Sequence, residues 1–288
     1  MGEPVTDPEH LYFLVNLGSA ADGSRKDVQR LRSVSKLTGL TLWQIEIEKA
    51  SGLYAAPDES ELMLVGREGH VSFIGKADGR VLRTFDFPGR SFGSGELTLV
   101  PRSNRENLIT AGPGRIYVLS VETGRVLQEI VTPKPTSSLL LTSQGHLIAG
   151  DLSGAVTSID LSNRKKNWKI KTGGTISSLS ETENGILATS FDNYVYHYSR
   201  SSGKLLWKKR TANRIIKKPL IFDKYAVVVT LGGDSAEIIN LENGRTVNRL
   251  ILGENLYFVD SSGFLENLLI FQTSAGLAAF GRENCRND

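Results

Sequence analysis

Short apolar runs alternate with polar turns along almost the whole chain. The runs are five to eight residues long, rich in β-branched and aromatic side chains, and bounded by Gly, Asn, Asp and Ser; examples are "ELMLVGRE", "HLIAGDLS", "RIYVLSVE" and "NYVYHYSR". This composition is typical of strands joined by tight hairpins. No stretch shows a helical period over ten or more residues, so the pattern predicts an all-β fold.

One turn recurs at a nearly constant spacing. Its copies are "KLTGLTLW", "KADGRVLR", "VETGRVLQ", "LSNRKKNW", "RSSGKLLW" and "LENGRTVN", and the turn residue is Gly39, Gly79, Gly124, Arg164, Gly203 or Gly244. The period is therefore about 41 residues, and each copy supplies about four strands. Groups of four strands at this period are typical of propeller blades. We predict a β-propeller of about seven four-stranded antiparallel blades.

The repeat also predicts the domain organisation. Residues 1–288 are expected to form a single propeller domain. The last repeat stops before a fourth strand, and residues 1–10 are the candidate segment to complete it; an open ring and a truncated eighth blade stay open as alternatives. The predicted blades span approximately residues 11–50, 51–88, 89–132, 133–172, 173–211, 212–252 and 253–288.

A third strand, a T-G-K turn and a fourth strand with tryptophan together resemble the repeat of the PQQ-like (quinoprotein-type) propellers. Three copies carry the tryptophan: "SVSKLTGLTLW" with Trp43, "SIDLSNRKKNW" with Trp168, and "HYSRSSGKLLW" with Trp207. The second copy departs from the pattern, since Asn163 and Arg164 replace Thr and Gly. The three other copies keep the glycine but carry Arg83, Gln128 and Asn248 at the tryptophan position. The G-H…W-D signature of WD-repeat proteins, the rival parentage, is missing.

The resemblance covers almost the entire chain and is nearest to small, BamB-like, non-catalytic propellers. It implies that each tryptophan docks against the neighbouring blade and buries a large aromatic surface. Base or sugar stacking is the alternative role for these rings. The residues expected to dock blades are Trp43, Trp168, Trp207, Gly39, Gly79, Gly124, Gly203 and Gly244.

No residue set for catalysis or metal binding stands out. The one cysteine, Cys285, excludes a disulfide framework, a Cys-based zinc site and the vicinal cysteine pair of many quinoproteins. Asp151, Asp192 and Asp234 follow apolar runs in turn contexts, where aspartate usually caps its own backbone. The four histidines are isolated, and no hydrolase, zinc-protease or phosphate-loop motif is present. We predict no enzymatic activity, no catalytic or metal-binding residues and no cofactor.

Positive charge is concentrated in one part of the chain. Residues 161–220 contain 13 Lys and Arg but three acids, whereas the whole chain has a net charge of +3. Fourth strands are the outermost in a blade, so two successive basic fourth strands are expected to share one sector. The candidate binding residues of this basic sector are Lys165, Lys166, Lys169, Lys171, Lys204, Lys208, Lys209, Arg210, Arg214, Lys217 and Lys218.

Two interpretations of this charge stay open. The basic sector is either a solvated edge, in which lysine prevents strand-to-strand aggregation, or a docking face for an acidic protein surface, an anionic polymer or lipid headgroups. Nucleic acid is not favoured, because no aromatic-interleaved motif is present and the overall charge is modest.

The preferred functional hypothesis is a monomeric, non-catalytic scaffold in an envelope-associated assembly complex. It binds protein partners, including partners with an acidic surface. The alternative is a propeller that binds a small ligand or PQQ with calcium. No apolar run approaches the roughly 20 residues of a membrane-spanning helix. The sequence contains no export signal, so the compartment stays open; a periplasmic or cell-envelope location is the alternative if a leader was removed.

Overall fold

A computed structural model describes most of the chain. The described residues are 4–16, 28–48, 50–56, 58–66, 70–86, 98–99, 107–112, 114–215, 217–253, 259–265, 268–273 and 276–281. Within them the chain forms 27 β-strands and no helix, which confirms the all-β class. None of the described residues forms a helix with the length and apolar character needed to cross a bilayer. Cys285 and the turn expected near it lie outside these ranges.

The strands form small antiparallel sheets that follow the chain order. Six of the sheets within the described residues have four strands and the last has three. Four-stranded antiparallel sheets are the predicted blade type. Of the about seven blades predicted, six have four strands within the described residues and the last has three.

The chain divides into two compact units, where the sequence predicted one domain over residues 1–288. Unit 1 comprises residues 1–94 and 99–129, and unit 2 comprises residues 95–98 and 130–288. The boundary falls at sheet 3, most of which belongs to unit 1.

Unit 1 contains sheets 1 and 2 and the body of sheet 3. Sheet 1 has β1 (Val5–Thr6), β2 (His10–Asn16), β3 (Val28–Ser35) and β4 (Thr41–Glu48); sheet 2 has β5 (Ala50–Ala55), β6 (Glu61–Gly66), β7 (His70–Gly75) and β8 (Val81–Asp86); sheet 3 has β9 (Thr98–Leu99), β10 (Asn107–Gly112), β11 (Arg115–Ser120) and β12 (Val126–Val131). Val5 pairs with Tyr12 and Thr6 with Leu11. The idea that residues 1–10 complete the last sheet is therefore corrected, because a short turn brings β1 onto its nearest neighbour in the chain.

Unit 2 contains sheets 4 to 7. Sheet 4 has β13 (Thr136–Leu141), β14 (His146–Asp151), β15 (Ala155–Asp160) and β16 (Lys166–Lys171); sheet 5 has β17 (Ile176–Thr182), β18 (Gly185–Ser190), β19 (Tyr194–Ser199) and β20 (Leu205–Arg210); sheet 6 has β21 (Leu220–Phe222), β22 (Tyr225–Val229), β23 (Ser235–Asn240) and β24 (Thr246–Ile251); sheet 7 has β25 (Val259–Leu265), β26 (Leu268–Thr273) and β27 (Gly276–Gly281).

The recurring turn joins the third and fourth strands of a sheet. In sheet 5, Gly203 has a φ of +68° and its N–H donates to the Ser199 carbonyl at 2.9 Å. The residue before the glycine caps the turn, because the Ser202 hydroxyl accepts the Lys204 N–H at 3.3 Å. Glycine is favoured here because it has no Cβ to clash at positive φ.

Sheet 4 shows how the turn tolerates a different residue. Arg164 adopts the same left-handed conformation, with a φ of +60°. The Asn163 side chain accepts the Lys165 N–H at 2.8 Å, as serine does in sheet 5. The backbone geometry is thus kept although the T-G pair is lost.

A tryptophan from one sheet lies on the turn glycine of the next sheet. A Cβ built on Gly203 would lie 2.7 Å from Cδ2 of Trp168, and one on Gly244 would lie 2.7 Å from Cδ2 of Trp207. The indole N–H of Trp168 also donates to the Arg200 carbonyl at 2.9 Å. Removing such a ring from a packed site typically costs about 3–5 kcal/mol, so these contacts are a large part of the packing between sheets 4, 5 and 6.

Apolar side chains continue this packing inward from the tryptophans. One buried cluster joins sheets 4 and 5 and includes Ile148, Val156, Trp168, Ile186 and Tyr198. A second joins sheets 5 and 6 and a third joins sheets 6 and 7. Each sheet of unit 2 therefore buries its faces against the next sheet, because a single sheet cannot cover both of its own faces.

A histidine is buried beneath one of these tryptophans. His197 is 2% exposed and pairs across the hairpin with Trp207, with ring centroids 5.2 Å apart. Its Nε2 lies 2.9 Å from the Thr182 hydroxyl. Burial lowers the pKa of His197 to about 4, against a weaker raising effect of the Leu241 backbone, so the ring is neutral at pH 7.

The first prediction concerns the ring-on-glycine contact. Gly203→Ala is expected to destabilise the protein by about 2–4 kcal/mol, because the new methyl group overpacks against Trp168 and alanine is strained at positive φ. Gly232→Ala is the matched control in the same unit: Gly232 has a φ of +67° and no atom within 4 Å of a built Cβ. The measurement is the free energy of unfolding in urea. Equal losses in both variants would show that the tryptophan contact contributes nothing.

The second prediction concerns pH. The unfolded chain protonates His197 below about pH 6.5, whereas the folded chain does not until about pH 4. Stability is therefore lost as the pH falls through this window, by up to about 3 kcal/mol. His197→Gln removes the titrating ring and is expected to flatten the fall in unfolding free energy between pH 7 and pH 4. The measurement is the free energy of unfolding at each pH, and a wild-type slope in His197→Gln would refute the prediction.

Candidate functional site

The two basic fourth strands lie at sheet edges. β16 is the last strand of sheet 4 and β20 the last strand of sheet 5, so neither pairs with a further strand within the described residues. Their sequences, KNWKIK and LLWKKR, contain no acidic residue. The contact between Trp168 and Gly203 brings β16 against the hairpin of β19 and β20, which places both strands in one surface region.

Lysines from both strands meet at a groove between sheets 4 and 5. The groove has a volume of about 430 Å³. We call it the Lys171–Lys208 groove, and its lining residues are Ile170, Lys171, Thr172, Gly173, Tyr196, Tyr198, Gly203, Leu205 and Lys208. β16 and the two residues that follow it supply one wall, and the hairpin of β19 and β20 supplies the rest.

The other predicted cations are distributed around this groove or away from it. Lys165, Lys166, Lys169 and Lys204 are exposed on the two hairpins, and Arg210 is exposed at the end of β20. Lys209 turns to sheet 6, where its Nζ lies 3.4 Å from Glu237. Arg214 stacks on the Phe191 ring, 4.8 Å from its centroid. Lys217 and Lys218 lie in the link to β21. The sector is thus brought together only in part.

Tyrosines of β19 form the floor of the groove. Tyr196 and Tyr198 are 8% and 4% exposed, and their rings stack with centroids 5.7 Å apart and planes inclined by 5°. Lys208 Nζ lies 5.3 Å from the centroid of the Tyr194 ring, close enough for a cation–π contact. Aromatic rings therefore support the lysine that stands at the rim.

The Asp192 carboxylate binds the hydroxyl of one of these tyrosines and a backbone N–H that follows β16. The Tyr196 hydroxyl donates to Asp192 Oδ2 at 2.7 Å, and the Gly173 N–H donates to the same oxygen at 2.8 Å. Burial, with the Asp192 contact second, raises the pKa of Tyr196, so its hydroxyl keeps its proton. Asp192 thereby ties sheet 5 to the end of β16.

The Tyr198 hydroxyl differs from that of Tyr196. Burial raises the pKa of Tyr198, with smaller contributions from Tyr196 and Asp192, so this hydroxyl also remains a donor. The hydrogen bond to Asp192 is made by Tyr196, whereas Tyr198 lines the groove. The groove therefore contains an available hydrogen-bond donor.

Two of the three acids considered for metal binding, Asp151 and Asp192, cap their own turns. Asp151 Oδ1 accepts the N–H groups of Ser153 and Ala155 at 2.8 and 2.9 Å. Asp192 likewise accepts the Tyr194 N–H at 3.1 Å. Among the described residues, no group of three or more His, Cys, Asp and Glu is placed to hold a metal ion.

Several site residues were missed by sequence reasoning. Tyr196 and Tyr198 were visible as the alternation "YVYHY" but were assigned only to a strand. Ile170 lines the groove but was not predicted, because attention went to the neighbouring lysines Lys169 and Lys171. Phe85 was missed as a docking ring: a Cβ on Gly124 would lie 2.7 Å from its Cδ2, and the signal would have been an aromatic residue two positions beyond Arg83.

Comparisons with known proteins identify the family. The sequence model of the family described as outer membrane protein assembly factor BamB matches residues 27–181 and 152–249. No curated protein matches the chain.

Among solved structures, the chain is similar to BamB from Moraxella catarrhalis, with a TM-score of 0.72, 15% identity, and coverage of 96% of this chain and 83% of that one. It is also similar to the computationally designed Ika8 protein, with a TM-score of 0.66, 13% identity, and coverage of 96% and 95%. At such identities the likeness shows the fold alone, an all-β propeller with four-stranded antiparallel blades. From the family match, this chain belongs to the family of the outer membrane protein assembly factor BamB, with repeats of the PQQ-like type.

Proposed function

We propose that this chain is a non-catalytic propeller that scaffolds a protein assembly, with the basic sector as its contact surface. The observation that carries the proposal is the pair of adjacent edge strands, β16 and β20, which bear six cations and no acid. Apart from Lys209, none of these cations forms an ion pair with a carboxylate within the described residues. Unpaired charge of one sign attracts a surface of the opposite sign.

The family supplies the context of the proposal. The family model bears the description of an outer membrane protein assembly factor, which supports a role in an envelope-associated assembly complex. In this proposal the chain acts as a monomer and its partner presents an acidic surface. The tryptophans and turn glycines then serve the scaffold by holding sheets together, and they do not bind the partner.

Edge protection alone explains the lysines less well. Lysine on an exposed strand does block pairing with other chains. However, β12 and β24, which end sheets 3 and 6, have the sequences VLQEIV and TVNRLI, with at most one cation each. If cations served only to protect edges, these strands would be expected to carry them too.

The third prediction tests the basic sector as a whole. We expect a variant with Lys165, Lys166, Lys169 and Lys204 all changed to Gln to recover its partner from native extract at least about fivefold less well than the wild type, because long-range attraction is lost. The measurement is quantitative mass spectrometry after affinity capture at low and high salt, since screening weakens such contacts.

The control removes the same charge elsewhere. Arg125, Lys134, Lys224 and Arg245 are exposed cations outside the two basic strands. Their combined change to Gln is expected to leave recovery within about twofold of the wild type. Equal loss in both variants would mean that net charge matters and the basic sector does not, and undiminished capture by the first variant would refute the proposed surface.

A further inference from the structure

The Lys171–Lys208 groove lies between two strand edges that have no partner strand within the described residues. Such edges bind extended peptides, because the free N–H and C=O groups of the edge pair with a peptide backbone while side chains enter adjoining pockets. The groove supplies such a pocket: Ile170 is half-buried on one wall and Leu205 is 43% exposed on the other. An apolar side chain of an extended segment fits these walls.

The charge of the groove points to an acidic occupant. Lys171 and Lys208 are exposed, and neither pairs with a carboxylate within the described residues. No Asp or Glu is among the lining residues. A bound carboxylate would therefore meet two cations and no like charge.

The next junction has an acid at the corresponding position. Tyr196 and Glu237 both lie seven residues before a turn glycine, and Lys208 and Arg249 both lie five residues after it. Between sheets 5 and 6, Glu237 accepts contacts from Lys209 at 3.4 Å and Arg249 at 3.3 Å. Between sheets 4 and 5, tyrosine stands at the position of that acid, so the protein supplies the cation of the pair without its carboxylate.

The Tyr198 hydroxyl adds a second, independent indication. Tyr198 is 4% exposed and lines the groove. Burial raises the pKa of its hydroxyl, which therefore keeps its proton. A ligand oxygen in the groove can accept a hydrogen bond from it.

From these observations we propose that the Lys171–Lys208 groove binds an extended acidic segment of a partner protein. A carboxylate of the segment lies between Lys171 and Lys208 and replaces the acid that Glu237 provides at the next junction. A neighbouring oxygen accepts the Tyr198 hydroxyl, and a neighbouring apolar side chain contacts Ile170 and Leu205. The proposal rests on the proposed scaffold function and specifies the chemistry of its partner.

The test uses defined peptides and the full chain. The probe is a fluorescein-labelled peptide of eight alternating Glu and Leu residues, and the reference peptide has Gln in place of Glu. Fluorescence anisotropy is expected to show at least tenfold weaker binding of the Gln peptide. Lys208→Gln is expected to weaken binding of the Glu peptide by about tenfold and Tyr198→Phe by about threefold, as for loss of a charge-assisted and a neutral hydrogen bond.

The matched control is Lys134→Gln, which removes an exposed lysine of the same unit that lies outside the basic sector and does not line the groove. It should weaken binding by less than about twofold, and thermal unfolding of each variant checks that it is folded. Three results would overturn the groove proposal: no binding of the Glu peptide, equal effects of Lys208→Gln and Lys134→Gln, or displacement of the peptide by inorganic phosphate at equal concentration. None of them depends on the capture experiment, which tests the four lysines outside the groove and so fails or succeeds separately.

Discussion

The contact between an aromatic ring and a turn glycine sets the spacing of this protein. Trp43 lies on Gly79 and Trp207 on Gly244, each with less than 3 Å between the ring and a built Cβ. The Trp207 indole N–H also donates to the Leu241 carbonyl at 2.7 Å, three residues before the glycine. The glycine is thus required twice, for positive φ and for close approach of the ring. Because the ring comes from the preceding sheet, in each of these pairs one repeat positions the next.

This double requirement explains which parts of the fold were predictable. The turn and its period could be predicted from the sequence, because few residues satisfy both conditions and they recur at a constant spacing. Phe85 could not be predicted as a docking ring, because the repeat pattern places the ring at the position of Arg83. Strand side chains alternate between faces, so Phe85, two residues after Arg83, lies on the same face of β8. From there its ring reaches Gly124, the turn glycine of the next sheet. Arg83 instead lies over Phe73, with its guanidinium carbon 3.8 Å from the ring centroid.

The candidate site was predictable in composition but not in arrangement. Counting charges found the lysines, yet Lys208 and Lys209 are adjacent in sequence and face different sheets. Lys209 meets Glu237 of sheet 6, whereas Lys208 lies over Tyr194 of its own sheet. The pairing of β19 with β20 shifts by one residue between Leu205 and Trp207, and a shift of this kind decides which face each later side chain of the strand occupies. A sequence pattern without the register leaves both assignments open.

Edge protection and docking are two consequences of the same charges. Lysines on β16 and β20 oppose the approach of a neutral or basic strand, because desolvating them without a counter-charge is unfavourable. An acidic strand removes that penalty, so the cations that exclude most chains admit one class of chain. Selectivity of this kind requires that the two edges keep a fixed separation, and Trp168 on Gly203 supplies it from directly beside the groove. The contact that builds the scaffold therefore also preorganises the surface through which the scaffold is proposed to act.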